Sequence, residues 1–145
     1  MIVHRVNPNN INEFPKMIEN KCIVLFFHPQ CSHCVHLQPT WEKMKQQNMN
    51  KNINIVEVNG EHVSGLNHPI VNNIRGFPQI IHVNKGKMQN EFIKERNLNN
   101  LNEYLRENLP NIKKKHNITK KKKTNGKKKP KKRNQKKKSK KKQKK

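Results

Sequence analysis

Phe26-Phe27-His28-Pro29-Gln30-Cys31-Ser32-His33-Cys34 sets a Cys-x-x-Cys pair between two stretches of different periodicity. Before it, residues 22–27 form a continuous apolar run, too short for a buried helix, which reads as a strand covered on both faces. After it, Leu37, Trp41 and Met44 fall on one side of a helical pattern that reaches Asn48, with Pro39 expected to kink it. The pair therefore stands where a strand ends and a helix begins. Unpaired N–H groups and the helix dipole favour a thiolate at that position, and can bring a thiol pKa from about 8.5 down to roughly 3.5–7.5. Cys31 is the expected attacking thiol. Cys34 is placed to attack the resulting mixed disulfide and resolve it.

Outward from this point the pattern alternates. Residues 2–6 suit an opening strand ended by Asn7 and Pro8, and Asn12 is expected to cap a short helix with Pro15 in its first turn and Met17 and Ile18 on its buried side. Residues 53–59 read as a third strand, followed by a polar loop and a short helix near residues 70–74. Residues 79–83 and 88–93 flank Asn84-Lys85-Gly86-Lys87 and predict a hairpin. A last helix over residues 98–108 turns Leu101, Tyr104 and Leu105 inward. The order β-α-β-α-β-α-β-β-α implies an α/β domain, a central mixed sheet with helices on both faces.

Composition changes abruptly near residue 110. Residues 1–110 hold 12 Lys and Arg against 9 Glu, a net charge of +3, whereas residues 111–145 hold 21 Lys and Arg with neither an acid nor an aromatic side chain. The expected organisation is a folded domain over residues 1–110 and a disordered basic tail over residues 111–145, because the tail has nothing with which to build a core. Its lysine blocks, among them Lys120, Lys121, Lys122, Lys123, Lys127, Lys128 and Lys129, are expected to bind nucleic acid or other polyanions without sequence preference. No aromatic residue offers a base-stacking platform there. Nuclear targeting, adhesion to anionic lipid and a purely solubilising role stay open.

No run approaches the roughly 20 apolar residues of a membrane span, and His4, Arg5 and Asn7 interrupt any secretory leader. The expectation is an intracellular monomer, cytoplasmic or nuclear, in which a close cysteine pair means redox or metal chemistry rather than a structural disulfide framework. The 24 Asn, with no Ala and no Asp, suit an AT-rich genome such as that of a large DNA virus or a parasite. Cys22, within the apolar run, reads as a small hydrophobe. His28, Cys31, His33, Cys34 and His36 include zinc-type ligands, yet no second Cys-x-x-Cys accompanies them, and no metal is expected.

Cys31-Ser32-His33-Cys34 resembles the Cys-Gly-His-Cys of the protein disulfide isomerase branch of the thioredoxin superfamily. Leu37, Pro39, Trp41 and Glu42 follow as in its Leu-Ala-Pro-x-Trp-Glu continuation, and Arg75-Gly76-Phe77-Pro78 resembles its Arg-Gly-Tyr-Pro segment. Residues 92–105, with Arg96, Leu101 and Tyr104, are similar to its closing strand and helix, so the likeness covers nearly all of residues 1–109. The resemblance implies a thioredoxin fold and a protein disulfide oxidoreductase that exchanges with dithiol or disulfide substrates and needs no cofactor beyond its own redox-active disulfide. It implies a cis Pro78 beside the sulfurs, with Gly76, Phe77 and Pro78 binding an extended substrate and hindering metal access. It further implies that Arg96 can lower the pKa of the resolving cysteine, although an exposed cation is the simpler account.

Two readings concern proton traffic. A partly cationic His33 beside Cys31 would stabilise the thiolate and so make the pair a better oxidant, unless the ring is merely solvated. Leu25 and Gln30 depart from the family, which keeps a buried carboxylate at the first position and a tryptophan at the second, and Ser32 replaces a glycine. Glu57 stands where the family usually has lysine and shares the apolar side of Ile53 and Ile55. It is either the relocated carboxylate that accepts the resolving thiol's proton or a solvated edge residue. A redox-idle binding module and a basic nucleic-acid-associated protein remain the competing classes.

Overall fold

The computed structural model describes residues 1–109. The lysines named above at residues 120–123 and 127–129 lie outside the described residues. Five strands, β1 (Ile2–Val6), β2 (Cys22–Phe27), β3 (Asn54–Asn59), β4 (Gln79–Asn84) and β5 (Lys87–Glu91), form one sheet in the order β1-β3-β2-β4-β5. β1, β3 and β2 run parallel, and β4 and β5 are antiparallel additions. Three helices accompany them: α1 (Phe14–Met17), α2 (Ser32–Gln47) and α3 (Leu98–Asn108).

The unbroken apolar run of β2 is explained by its central position. Ile23 and Leu25 point to a layer built by Leu37, Trp41 and Met44 of α2 and Leu101, Tyr104 and Leu105 of α3. Cys22, Val24 and Phe26 point the other way, to Phe14, Ile18, Leu66 and Ile70. Phe14, Ile18 and Phe26 are wholly buried, and each such side chain contributes about 1.5–3 kcal/mol by leaving water. Both faces are thus covered, and the fold is the thioredoxin fold. The hairpin turns on Lys85 and Gly86, both at positive φ (55° and 75°), the backbone that a two-residue turn of matching twist requires. Their N–H groups donate to the carbonyls of Glu19 and Ile18 at 3.0 and 2.9 Å, which pins the turn to the end of α1.

Two local expectations are corrected. Asn12 is exposed and caps nothing. A 3₁₀ turn, Ile11–Glu13, precedes α1, and α1 itself has no side-chain cap. Asn7 and Asn10 tie off the entering chain instead, the Asn7 N–H donating to Asn10 Oδ1 at 2.8 Å. The short helix near residues 70–74 is a 3₁₀ turn, Pro69–Asn73, whose first amide, that of Ile70, is taken by His68 Nδ1 at 3.1 Å. With another 3₁₀ turn at Gly60–Gly65, the segment between β3 and β4 holds no α-helix. Pro39 lies inside α2, which continues through it.

His82 of β4 pairs with Ile23 and so faces the α2–α3 layer, where neither ring nitrogen has a hydrogen-bond partner among the described residues. Burial, helped by the charge of Lys21, lowers its pKa from 6.5. The unfolded chain therefore takes up the proton first. Stability is complete above pH 6.5 and falls as the pH drops through that value towards the lower folded pKa. Denaturant titrations between about pH 7.5 and 5.5 are expected to show this loss in the wild type and a shallower one in His82→Phe. Equal slopes would exclude His82 as the source.

Candidate active site

Cys31 is the N-cap of α2, with extended backbone (φ −94°, ψ 118°). Its sulfur accepts the N–H of Cys34 at 3.2 Å, and its carbonyl receives the N–H of Val35 at 3.1 Å. Cys31 thus does for this helix what serine or aspartate does for most. The approach from β2 is equally constrained. The Cys31 N–H donates to the His28 carbonyl at 3.1 Å, and the Gln30 N–H donates to His28 Nδ1 at 3.2 Å. The His28 N–H itself donates to Cys34 Sγ at 3.4 Å. Cys34 is buried, whereas Cys31 is partly exposed, and both are free thiols.

A second segment leans over the pair. The Phe77–Pro78 peptide bond is cis, and the Phe77 carbonyl accepts the Cys31 thiol proton at 3.4 Å. Pro78, immediately before β4, is buried, Phe77 is half-buried and Gly76 is exposed. Phe77 packs against His28 with ring centroids 5.8 Å apart. Both rings crowd Gly60, where an added Cβ would come within 2.8 Å of Phe77 and 3.0 Å of His28. Arg75, paired with Glu91, also donates its N–H to Gln79 Oε1 at 2.9 Å.

On the far side of Cys34 a cavity of about 310 Å³ runs between α2 and the sheet, lined among others by Leu25, His28, Cys34, Trp41, Glu42 and Glu57. Glu57 is buried. Its register partners on β3's two neighbours are Arg5 and Leu25. Oε1 accepts from Arg5 Nε at 3.1 Å, and Oε2 accepts from Trp41 Nε1 at 2.8 Å and from Lys45 Nζ at 2.5 Å. Lys45, also buried, lies 3.0 Å from Glu42 Oε2. Removing one partner of such a buried pair costs about 3–5 kcal/mol.

The sequence model of the Thioredoxin family matches residues 3–107. The chain belongs to the thioredoxin family. This thioredoxin domain is 30% identical over 99 residues to the thioredoxin domain-containing protein 5 homolog of Drosophila melanogaster, covering 66% of this chain and 24% of that protein. It is 34% identical over 79 residues to the ER-retained PMA1-suppressing protein 1 of Saccharomyces cerevisiae, covering 52% and 11%. The chain therefore spans a quarter or less of either relative. The first two thioredoxin domains of Saccharomyces cerevisiae Eps1p superpose with a TM-score of 0.54 at 30% identity, over 71% of this chain and 39% of that one. The J-Trx1 fragment of ERdj5 superposes at 0.58 with 18% identity, over 72% and 49%, a likeness of fold alone.

The two sulfurs of the thioredoxin domain differ sharply. Burial works against the Cys31 thiolate, but the Cys34 thiol, the N–H groups of Cys34 and His33, and the charge of Arg96 outweigh it and lower its pKa from 9.0. Burial, with the hydrogen bond and charge of Cys31, pushes Cys34 up to about 11, although the His28 N–H and the charge of Arg96 act the other way. Arg96 is exposed yet close enough to act on both sulfurs. The His33 ring is exposed, and its backbone N–H acts on Cys31. Cys22 lies in the opposite layer, and burial raises it to about 12.

Among the described residues, no three His, Cys, Asp or Glu side chains are grouped as metal ligands would be, and no helix is long and apolar enough to cross a membrane. Lys45 and Gly60 were not singled out from sequence. Lys45 had a usable signal, since it follows Trp41 by four residues and so falls on the buried side of α2. Gly60 had none, because its constraint comes from rings distant in the chain.

Iodoacetamide titration followed by mass spectrometry is expected to give a single adduct, on Cys31, with a midpoint below 9.0. Cys34 and Cys22 should stay unmodified until the pH nears about 11 and 12. A Cys31 midpoint at or above 9.0, or first modification at Cys34, would contradict the asymmetry described here.

Proposed function

We propose that this chain is a thiol–disulfide oxidoreductase that exchanges disulfides with protein substrates through Cys31 and Cys34. The observation that supports this best is Cys31 Sγ acting as helix cap, 3.2 Å from the Cys34 amide and 3.4 Å from the Phe77 carbonyl. A substrate disulfide laid along Gly76, Phe77 and Pro78 is attacked by the Cys31 thiolate. One substrate sulfur leaves as thiolate and Cys31 holds the other. Cys34 then attacks Cys31 Sγ, the Cys31–Cys34 disulfide forms, and the second substrate thiolate departs.

Cys34 must lose a proton before it can attack, and Leu25 cannot take it. Glu57 is the acceptor in this reading, since it lines the same cavity as Cys34 and lies in register beside Leu25. Arg96 assists by stabilising negative charge on either sulfur. His33, when protonated, favours the reduced pair. No cofactor beyond the disulfide itself takes part, and the redox state of the surroundings sets the direction of net transfer. The name of the yeast relative describes that protein as retained in the ER. An oxidising compartment would turn the same chemistry towards disulfide formation.

The potential decides between reductase and isomerase behaviour. Equilibration with glutathione buffers is expected to give a value between about −270 and −180 mV, nearer the second. Cys31→Ser should abolish insulin reduction. A value at or below about −270 mV, or activity surviving Cys31→Ser, would overturn this reading.

The lysine-rich residues 111–145 supply a separate, sequence-independent affinity for polyanions, supported by 21 basic residues without an acid. Binding to duplex DNA of arbitrary sequence should fall by at least about tenfold between 50 and 200 mM salt and vanish when those residues are removed. Affinity that persists unchanged in high salt would exclude this role.

A further inference from the structure

Glu57 is the only buried carboxylate among the described residues, and its donors come from two different elements. Arg5 reaches it from β1, and Trp41 and Lys45 from α2. The remaining neighbours are the apolar Leu25 of β2, Glu42 on the other side of Lys45, and Cys34 and His28 along the cavity. A group that accepts the resolving thiol's proton must be ionised, and it must also be basic enough to hold the proton it receives. Donors on both oxygens secure the first property at the expense of the second.

Resting on the reading of Glu57 as acceptor, we propose that Lys45, aided by Arg5, is a positioning residue that holds Glu57 in its ionised, hydrogen-bonded state. The second half of exchange is thereby slowed, and substrate stays covalently attached to Cys31. The direction of the Glu57 titration agrees. Burial alone would raise its pKa from 4.5, but hydrogen bonds from Lys45 and Trp41 and the charges of Lys45 and Arg5 bring it below that value. In the slowed step the Cys34 proton passes to Glu57, the Cys34 sulfur bonds to Cys31, and the Cys31–substrate bond breaks. Its electron pair leaves on the substrate sulfur, so that the cysteine pair is oxidised and the substrate reduced. The proton then returns from Glu57 to the departing thiolate or to solvent.

The full-length reduced chain can be mixed in stopped flow with a dimer of a fluorescent cysteine peptide across the range from about pH 3 to 9, which takes in the acid limb of a carboxylate held below its ordinary value. The fast phase, release of the first peptide, reports attack by Cys31. The slow phase, release of the second, reports resolution by Cys34. Lys45→Gln, which removes the charge and keeps a donor, should speed the slow phase about three- to tenfold at neutral pH and move its acid limb to higher pH. Lys45→Arg should restore the wild-type slow phase. Arg5→Gln, at a position whose side chain is 68% exposed, should shift the rate and limb in the same direction by less, and it decides the matter if Lys45→Gln does not fold. Glu57→Gln should slow resolution and remove the limb. If Glu57→Gln slows the step while Lys45→Gln and Arg5→Gln leave rate and limb unchanged, the clamp is wrong and the acceptor stands. Should Glu57→Gln change nothing, the acceptor reading falls and the clamp falls with it.

Discussion

Every α-helix begins with amide hydrogens that have no carbonyl to meet, and in α2 one of them ends on sulfur. Because Cys31 occupies the cap, the start of the helix and a thiolate charge on its sulfur stabilise one another. At an exposed position the dipole contributes about 0.3–1 kcal/mol, less than the roughly 1.36 kcal/mol that one pKa unit represents. Its field alone would shift the thiol only slightly. The directed N–H groups of Cys34 and His33 and the charge of Arg96 are needed as well. They are available only because β2 delivers the chain to this point through the turn closed on the His28 carbonyl.

The same turn separates the fates of two sulfurs three residues apart. Cys34 sits one turn into the helix, under the cavity wall, where the His28 amide is its one backbone donor. Its ionisation is opposed both by burial and by any charge already on Cys31. The Phe77 carbonyl acts in the other sense on Cys31, since it accepts a proton that ionisation removes. Part of what the cap gains is therefore offset until that carbonyl finds another donor. The two thiols are thus governed by different surroundings, although they are near neighbours in the chain.

Features that depend on local periodicity were legible in the sequence. The two-face burial of β2, the inward stripe Leu37-Trp41-Met44 and the hairpin at Lys85-Gly86 each follow from a pattern within about ten residues. Asn12 shows where such reading fails. Its type suits a cap, but Asn7 and Asn10 close the loop first, and among four candidate asparagines the choice lies in backbone geometry. At Pro69–Asn73 apolar spacing over five residues cannot tell an α-helix from the 3₁₀ turn that stands there. Glu57 was placed on the correct side of the sheet from alternation alone. Its partners were not, because Arg5, Trp41 and Lys45 lie 52, 16 and 12 residues away.

Leu25 on β2 and Glu57 on β3 are register neighbours, and strand order decides which of the two positions suits a buried carboxylate. A glutamate at residue 25 would lie in register between Glu57 on β3 and Ile80 on β4, with no basic side chain opposite it on either strand. On β3 the same group faces β1, the edge strand, whose Arg5 can keep its head in water while its Nε reaches inward. Burying the charge is therefore less costly at residue 57 than at residue 25. The cations that make it so also hold the carboxylate in its ionised form. In this sheet a carboxylate on β3 rather than β2 gains stability and loses basicity, and the trade follows from the register of β1, β3 and β2.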